Sequence, residues 1–331
     1  MLDGLVRTCL KLVAPGGGSA LSILIYHRVL EHSDPLLFEL PDIAGFDRQM
    51  ATLKRSFNVM TLADAVEALK TTSLPPRSAC VTFDDGYADN FTNALPVLKR
   101  HQIPACFFVA AGFLDGGCMW NDKLVEIVRS FDGAAIDCPE LGLELLRTET
   151  LADRRAALVK LVAALKYLPL ERRDALVELL VARTQTRIPH DLMMSSVQVR
   201  ALADSGMEIG GHTLHHPILN TLDLRAARQE IVDGRLSLSA ITGRPVRFFA
   251  YPNGMPECDF GREHAGLVKA LGFEAAVSTG WGVACSGDDL FELPRFTPWG
   301  KTGIHFQLRL IQNIARSRFR LAAPPVPELQ S

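Results

Sequence analysis

From residue 20 onward, short apolar runs ending on polar clusters alternate with helical periods. That alternation confines the chain to an α/β architecture with a parallel sheet covered on both faces. The runs are 21–27 (LSILIYH), 79–83, 104–110, 207–211, 246–251 and 273–278, with 293–296 as a further candidate. Their near-continuous apolar character is that of strands buried on both faces. Helical spacing fills 46–57, 61–70, 89–101, 197–204, 223–241 and 263–271. Thr61, with Asp64 three residues on, predicts an N-cap, and Pro96 predicts a kink in 89–101. About seven strands predict a closed or nearly closed barrel rather than an open sheet.

The period changes at about 117–200, which carries helical spacing at 121–130 and 151–183 and no strand candidate. This block is expected to be a helical insertion in a barrel domain spanning 20–320, with Trp120 and Asn121 at its entrance. Residues 1–19 are expected to be a leader and 321–331 a flexible tail. The leader has no apolar core of secretory type, because Arg7 and Lys11 interrupt it. Residues 2–13 also fit a short amphipathic helix lying on a membrane. No run reaches the ~18 apolar residues of a transmembrane span.

A net charge of −2 argues against capture by nucleic acid or anionic lipid, which needs a basic patch. Seven cysteines, an odd count with no CxxC spacing, read as free thiols of a reducing compartment. With no clear signal peptide, the cytoplasm is the expected location, with an envelope association left open.

Three polar clusters fall at predicted strand ends, the edge that carries the site in parallel α/β folds. In Thr82-Phe83-Asp84-Asp85-Gly86-Tyr87, two adjacent carboxylates repel unless a cation or a proton intervenes. A metal held by one lets the other act as a base; the alternative is a strand-to-helix turn with Asp as a cap. In Gly210–Pro217, His212 and His216 stand at i and i+4 and can bind one metal, with His215 a competing ligand. Pro217 favours a loop-borne turn over a regular helix there, and a merely His-rich surface loop is the alternative. In 248–254, Tyr251 and Asn253 suit a sugar-binding wall, although a hydrophobic strand followed by a turn is the more common reading of such residues.

In order, TFDDG (82–86), HTLHH (212–216) and AYPNG (250–254) resemble the first three motifs of the polysaccharide deacetylase family. This carbohydrate esterase family includes the NodB-type chitooligosaccharide deacetylases. ILIYHRV (23–29) resembles the lead strand of its exopolysaccharide-modifying branch. The resemblance implies Asp84 as general base and Asp85, His212 and His216 as ligands of Zn²⁺ or another divalent ion such as Co²⁺ or Ni²⁺. It implies a distorted, TIM-like (β/α) barrel, a carbohydrate substrate that loses an N-acetyl group, and an oxyanion donor at a backbone N–H near Tyr87; Tyr87, Trp120, Tyr251 and Asn253 are the candidate substrate contacts. Where the family's third motif carries Arg, this chain has Ala250; Arg295, in LPRF, is the candidate replacement. The family's late histidine acid has no clear counterpart, which leaves His27 and His305 as candidates. A silent carbohydrate-binding protein and a hydrolase of non-sugar amides are the alternatives.

Overall fold

A computed structural model describes residues 20–298 and 303–322. The readings on 1–19 and 323–331 lie outside the described residues.

In chain order the elements are β1 (Leu21–Tyr26), α1 (Ile43–Ser56), β2 (Asn58–Val59), α2 (Leu62–Lys70), β3 (Ser78–Phe83), α3 (Leu95–His101) and β4 (Ala105–Val109). The insertion follows, with α4 (Trp120–Ser130), β5 (Ala135–Ile136), β6 (Leu146–Arg147), α5 (Leu151–Leu165) and α6 (Leu170–Thr184). Then come α7 (Ser196–Asp204), β7 (Glu208–Gly211), α8 (Leu224–Thr242), β8 (Phe248–Ala250), α9 (Arg262–Ala270), β9 (Ala275–Val277) and α10 (Gly303–Ala322).

The sheet runs β1-β3-β4-β7-β8-β9, all parallel, with β2 beside β3. Every residue of β1, β3 and β4 is buried, which explains their unbroken apolar character. The segment Leu293–Phe296 bridges the gap from β9 to β1. Its Leu293 N–H reaches the Ala276 carbonyl at 3.0 Å and its Phe296 N–H the Ile23 carbonyl at 3.0 Å. The result is a distorted (β/α) barrel.

Side chains alternate across each strand with period two. Leu24, Val81, Phe83, Phe107 and Phe249 join the cluster shared with the outer helices, through Phe46, Leu98, Leu202 and Ile231. Leu21, Ile23, Cys80, Phe108, Phe248 and Val277 form a second cluster with Leu62, Val66 and Leu69 of α2. The period that sends Cys80 into this second cluster also sends Thr82 and Asp84 to the same face, one step further toward the strand's C-terminal end.

The insertion packs its own cluster from Leu124, Ile127, Leu161, Leu165, Val177 and Leu180. Two expectations are corrected here. The helical stretch 151–183 is two helices, because Pro169 caps the second. The block also contains an antiparallel ladder, Ala135–Ile136 against Leu146–Arg147, too short to show a period of two. The block ends before α7, whose Val199 and Leu202 belong to the main core.

Other differences are local. The helical stretch around Pro96 is not one regular α-helix: a π-helical segment, Asn90–Ala94, runs into α3, and Pro96 sits in the first turn of α3. Helix α10 has no counterpart in the sequence reading, and it includes residues 321 and 322 of the expected tail. The six cysteines in the described residues are free. Among the described residues, no helix is long and apolar enough to cross a membrane.

Candidate functional site

Three loops at the C-terminal strand ends place the site. After β3 the chain turns sharply at Asp85 (φ +75°) and Gly86 (φ +95°). A Cβ on Gly86 would stand 2.8 Å from Val109 Cγ1, so glycine is required by both conformation and space. Thr213, His216 and Asn253 also hold positive φ. Such conformations cost of order 1–3 kcal/mol each and concentrate where side chains must be aimed.

Asp84 is buried and paired at both oxygens. Arg295 donates from Nη1 to Oδ1 at 2.7 Å and from Nη2 to Oδ2 at 2.6 Å. Arg295 is 0% exposed, and its Nε donates to the Ser278 carbonyl at 2.9 Å. Burial alone would raise the Asp84 carboxyl, but the charges of Arg295 and His212 outweigh it and hold the group below the usual carboxylate range. The structure thus brings Arg295, 211 residues away in sequence, onto both oxygens of Asp84.

Asp85, His212 and His216 converge, with one ligand atom from each within 4.8 Å of the others. Asp85 Oδ1 stands 3.4 Å from His212 Nε2 and 3.3 Å from His216 Nε2. Two atoms each ~2.0–2.1 Å from a tetrahedral zinc lie roughly 3.4 Å apart, so this donor set fits such an ion. Asp85 Oδ1 is buried without a hydrogen-bond partner, the condition of an acceptor waiting for a cation. His212 Nδ1 lies 2.7 Å from the Ala250 carbonyl; that oxygen can only accept, so Nδ1 carries the proton and Nε2 keeps its lone pair. Burial pushes His216 down to about 3, keeping it in the neutral, ligating form. Burial also opposes charge on His212, but the neighbouring carboxylates of Asp85 and Asp84 raise it. The segment is a loop-borne turn, closed by the His216 N–H donating to Thr213 Oγ1 at 3.0 Å. His215 is removed from the competition for the ion: its Nδ1 pairs with Glu230 at 2.9 Å and its side chain is half exposed.

A pocket of about 210 Å³ gathers His27, Asp84, Asp85, Trp120, His212, His216 and Asn253. His305 lies on α10 and lines a different cleft, so His27 is the acid candidate that shares the pocket.

Two expected substrate contacts are corrected. Tyr251 is 0% exposed, stacks on Phe260 at 3.7 Å and donates its hydroxyl to the Phe291 carbonyl at 2.8 Å; it belongs to the core. The Tyr87 ring is also buried, under Arg28, with its hydroxyl 3.1 Å from both oxygens of Asp122. Thr279, Asn121, Val162 and Lys166 line the pocket and were not anticipated as contacts. Asn121 and Thr279 had a sequence signal, beside Trp120 and at a strand end respectively. Val162 and Lys166 had none, being turns of a long helix.

The model of the family described as "Polysaccharide deacetylase" matches residues 71–133 and 177–276, a span that takes in all three motifs and omits much of the insertion. No curated protein matches the chain. Among solved structures, the Streptococcus pyogenes deacetylase PplD is similar, with TM-score 0.60 and 17% identity over 89% of this chain and 98% of that one. IcaB from Ammonifex degensii has TM-score 0.56 and 20% identity, over 88% and 98% of the two chains. The BpsB deacetylase domain from Bordetella bronchiseptica has TM-score 0.52 and 17% identity, over 86% and 98%. At these identities the likeness carries the fold. With the family match and the motif residues assembled in one pocket, the chain belongs to the polysaccharide deacetylase family, whose members are hydrolases of carbon–nitrogen bonds other than peptide bonds.

Proposed function

We propose that this protein removes N-acetyl groups from an N-acetylhexosamine-containing glycan or glycan precursor, using Asp84 as general base and a divalent ion, Zn²⁺ or a similar one, held by Asp85, His212 and His216. The observation that carries the reading is one buried pocket holding both a charge-braced carboxylate and a fitting Asp/His/His donor set. Bound there, a divalent ion supplies a Lewis acid and a water acidic enough to lose a proton near neutral pH.

Asp84 accepts the proton of the attacking water. Because Arg295 keeps its carboxyl below the usual range, Asp84 is a weak base and serves only a water already made acidic. The Tyr87 backbone N–H, with no acceptor among the described residues, is the donor for the oxyanion of the tetrahedral intermediate. His27 delivers a proton to the leaving amine. Trp120 and Asn253 hold the sugar, and the insertion keeps bulk water from the pocket.

The test is acetate release from N-acetylglucosamine oligomers by purified protein, with chelator and with Zn²⁺ or Co²⁺ restored. Metal-dependent release, abolished by Asp84→Asn and His216→Ala and retained in His215→Ala, is expected. Asp84→Asn with full activity would overturn Asp84 as the base, and no release of acetate by metal-loaded wild type would leave a carbohydrate-binding protein.

A further inference from the structure

The reaction above uses the strand-end walls of the pocket. The remaining wall comes from the insertion, through Trp120 and Asn121 at the start of α4 and Val162 and Lys166 at the end of α5. Lys166 is the one lysine or arginine among the described residues lining this pocket.

Its placement follows from the helix. Lys166 is the C-cap of α5, where unpaired carbonyls favour a cation. The ammonium stands 3.8 Å from Oδ1 of Asp259, a carboxylate 1% exposed at its side chain. That distance exceeds a hydrogen bond. The carboxylate's own acceptors are taken, Oδ1 by the Tyr167 hydroxyl at 3.2 Å and Oδ2 by the Met255 N–H at 2.9 Å. Asp259 does not line the pocket, whereas Lys166 does. The carboxylate and the Tyr167 ring, whose centroid lies 5.1 Å from Nζ, therefore anchor the ammonium, and its three N–H groups have no hydrogen-bond acceptor among the described residues.

We infer that Lys166 is a substrate-recognition residue that binds an anionic substituent, a carboxylate or a phosphate, on the N-acetylated sugar or on the sugar next to it. The inference rests on the deacetylase reading of the pocket. Asp84 spends its charge on Arg295, and with a divalent ion in place Asp85 is likewise spent, so the loaded pocket presents net positive charge to its ligand. Charge-assisted bonds from an ammonium to an anionic oxygen are roughly twice as strong as neutral ones. A neutral hydroxyl would use the donors without that gain.

The experiment compares wild type, Lys166→Met and Lys166→Arg, all full-length and zinc-loaded, on three probes: N-acetylglucosamine, N-acetylmuramic acid and N-acetylglucosamine 6-phosphate. Binding is read by calorimetry and turnover by acetate release. Wild type is expected to bind at least one charged sugar about tenfold more tightly than the neutral one. Lys166→Met should erase that preference and Lys166→Arg should restore most of it. The carboxylate and phosphate arms tell the two sources of anion apart. Equal affinity of wild type for charged and neutral sugars, or an equal loss for both in Lys166→Met, would overturn the assignment. Turnover of none of the probes, with the binding preference intact, would sink the deacetylase reading alone.

Discussion

Replacing Arg295 with Met should destabilise the protein severely, chiefly because Asp84 stays behind. The two side chains share two short hydrogen bonds, at 2.7 and 2.6 Å, in a place where Arg295 is 0% and the Asp84 side chain 3% exposed. Unit charges ~4 Å apart attract by about 4 kcal/mol at an effective dielectric of ~20. Removing one partner of a buried pair costs about 3–5 kcal/mol, because the other is left uncompensated. At 2–4 °C per kcal/mol, the melting temperature should fall by roughly 10 °C. Met matches the aliphatic length of Arg, so lost packing is a minor part. The assay is urea unfolding at pH 7 of chelator-treated protein, which removes any stabilisation by bound metal. Arg295→Met, Asp84→Asn and the double variant complete a cycle. The double variant should be more stable than the sum of the single losses predicts, by a coupling of about 3 kcal/mol. Additive losses would refute the claim that the pair acts as one unit.

Two further outcomes follow from neighbouring contacts. Burial pushes Asp122 up to about 7, with Arg28 opposing and the Asp85 charge adding to the rise. A carboxyl raised above its unfolded value contributes stability below about pH 4 that is lost as pH rises through about 7. Wild type should therefore lose stability relative to Asp122→Asn across that window, by on the order of 4 kcal/mol at most; a flat difference in melting temperature from pH 4 to 7 would contradict this. Gly234 of α8 lies against the His-loop backbone, where a Cβ would stand 2.6 Å from the Thr213 carbonyl carbon and 3.0 Å from the Leu214 nitrogen. Gly234→Ala should weaken Zn²⁺ affinity about tenfold, as changes behind metal ligands do, although Ala favours the helix. Unchanged affinity in calorimetry would show that the helix shifts without moving His212 and His216.

Much of the site was legible because its chemistry is local. Asp84, Asp85 and Gly86 are consecutive, and His212 and His216 share one loop, so a strand end and a few residues declare them. Tyr251 misled for a physical reason: an aromatic beside Pro and Gly looks the same in sequence whether it faces a ligand or stacks on Phe260. The Tyr87 ring misled likewise, because its partner Asp122 lies 35 residues on, in the insertion. Lys166 could not be found at all, since an amphipathic helix does not reveal which of its lysines ends over a pocket.

By itself the sequence determined the repeating β/α order, the covered sheet and the residue types at the strand ends. These are set by side-chain period, by turn geometry and by the mutual repulsion of adjacent carboxylates, all of which act over a few residues. Only the tertiary structure decided that Arg295 braces Asp84 across 211 residues, that Tyr251 is core, and that the insertion lends a wall and an ammonium to the pocket. Barrel closure through Leu293–Phe296 is what carries Arg295 to Asp84. Contacts of that separation come from how strands close and helices dock, which no local pattern encodes.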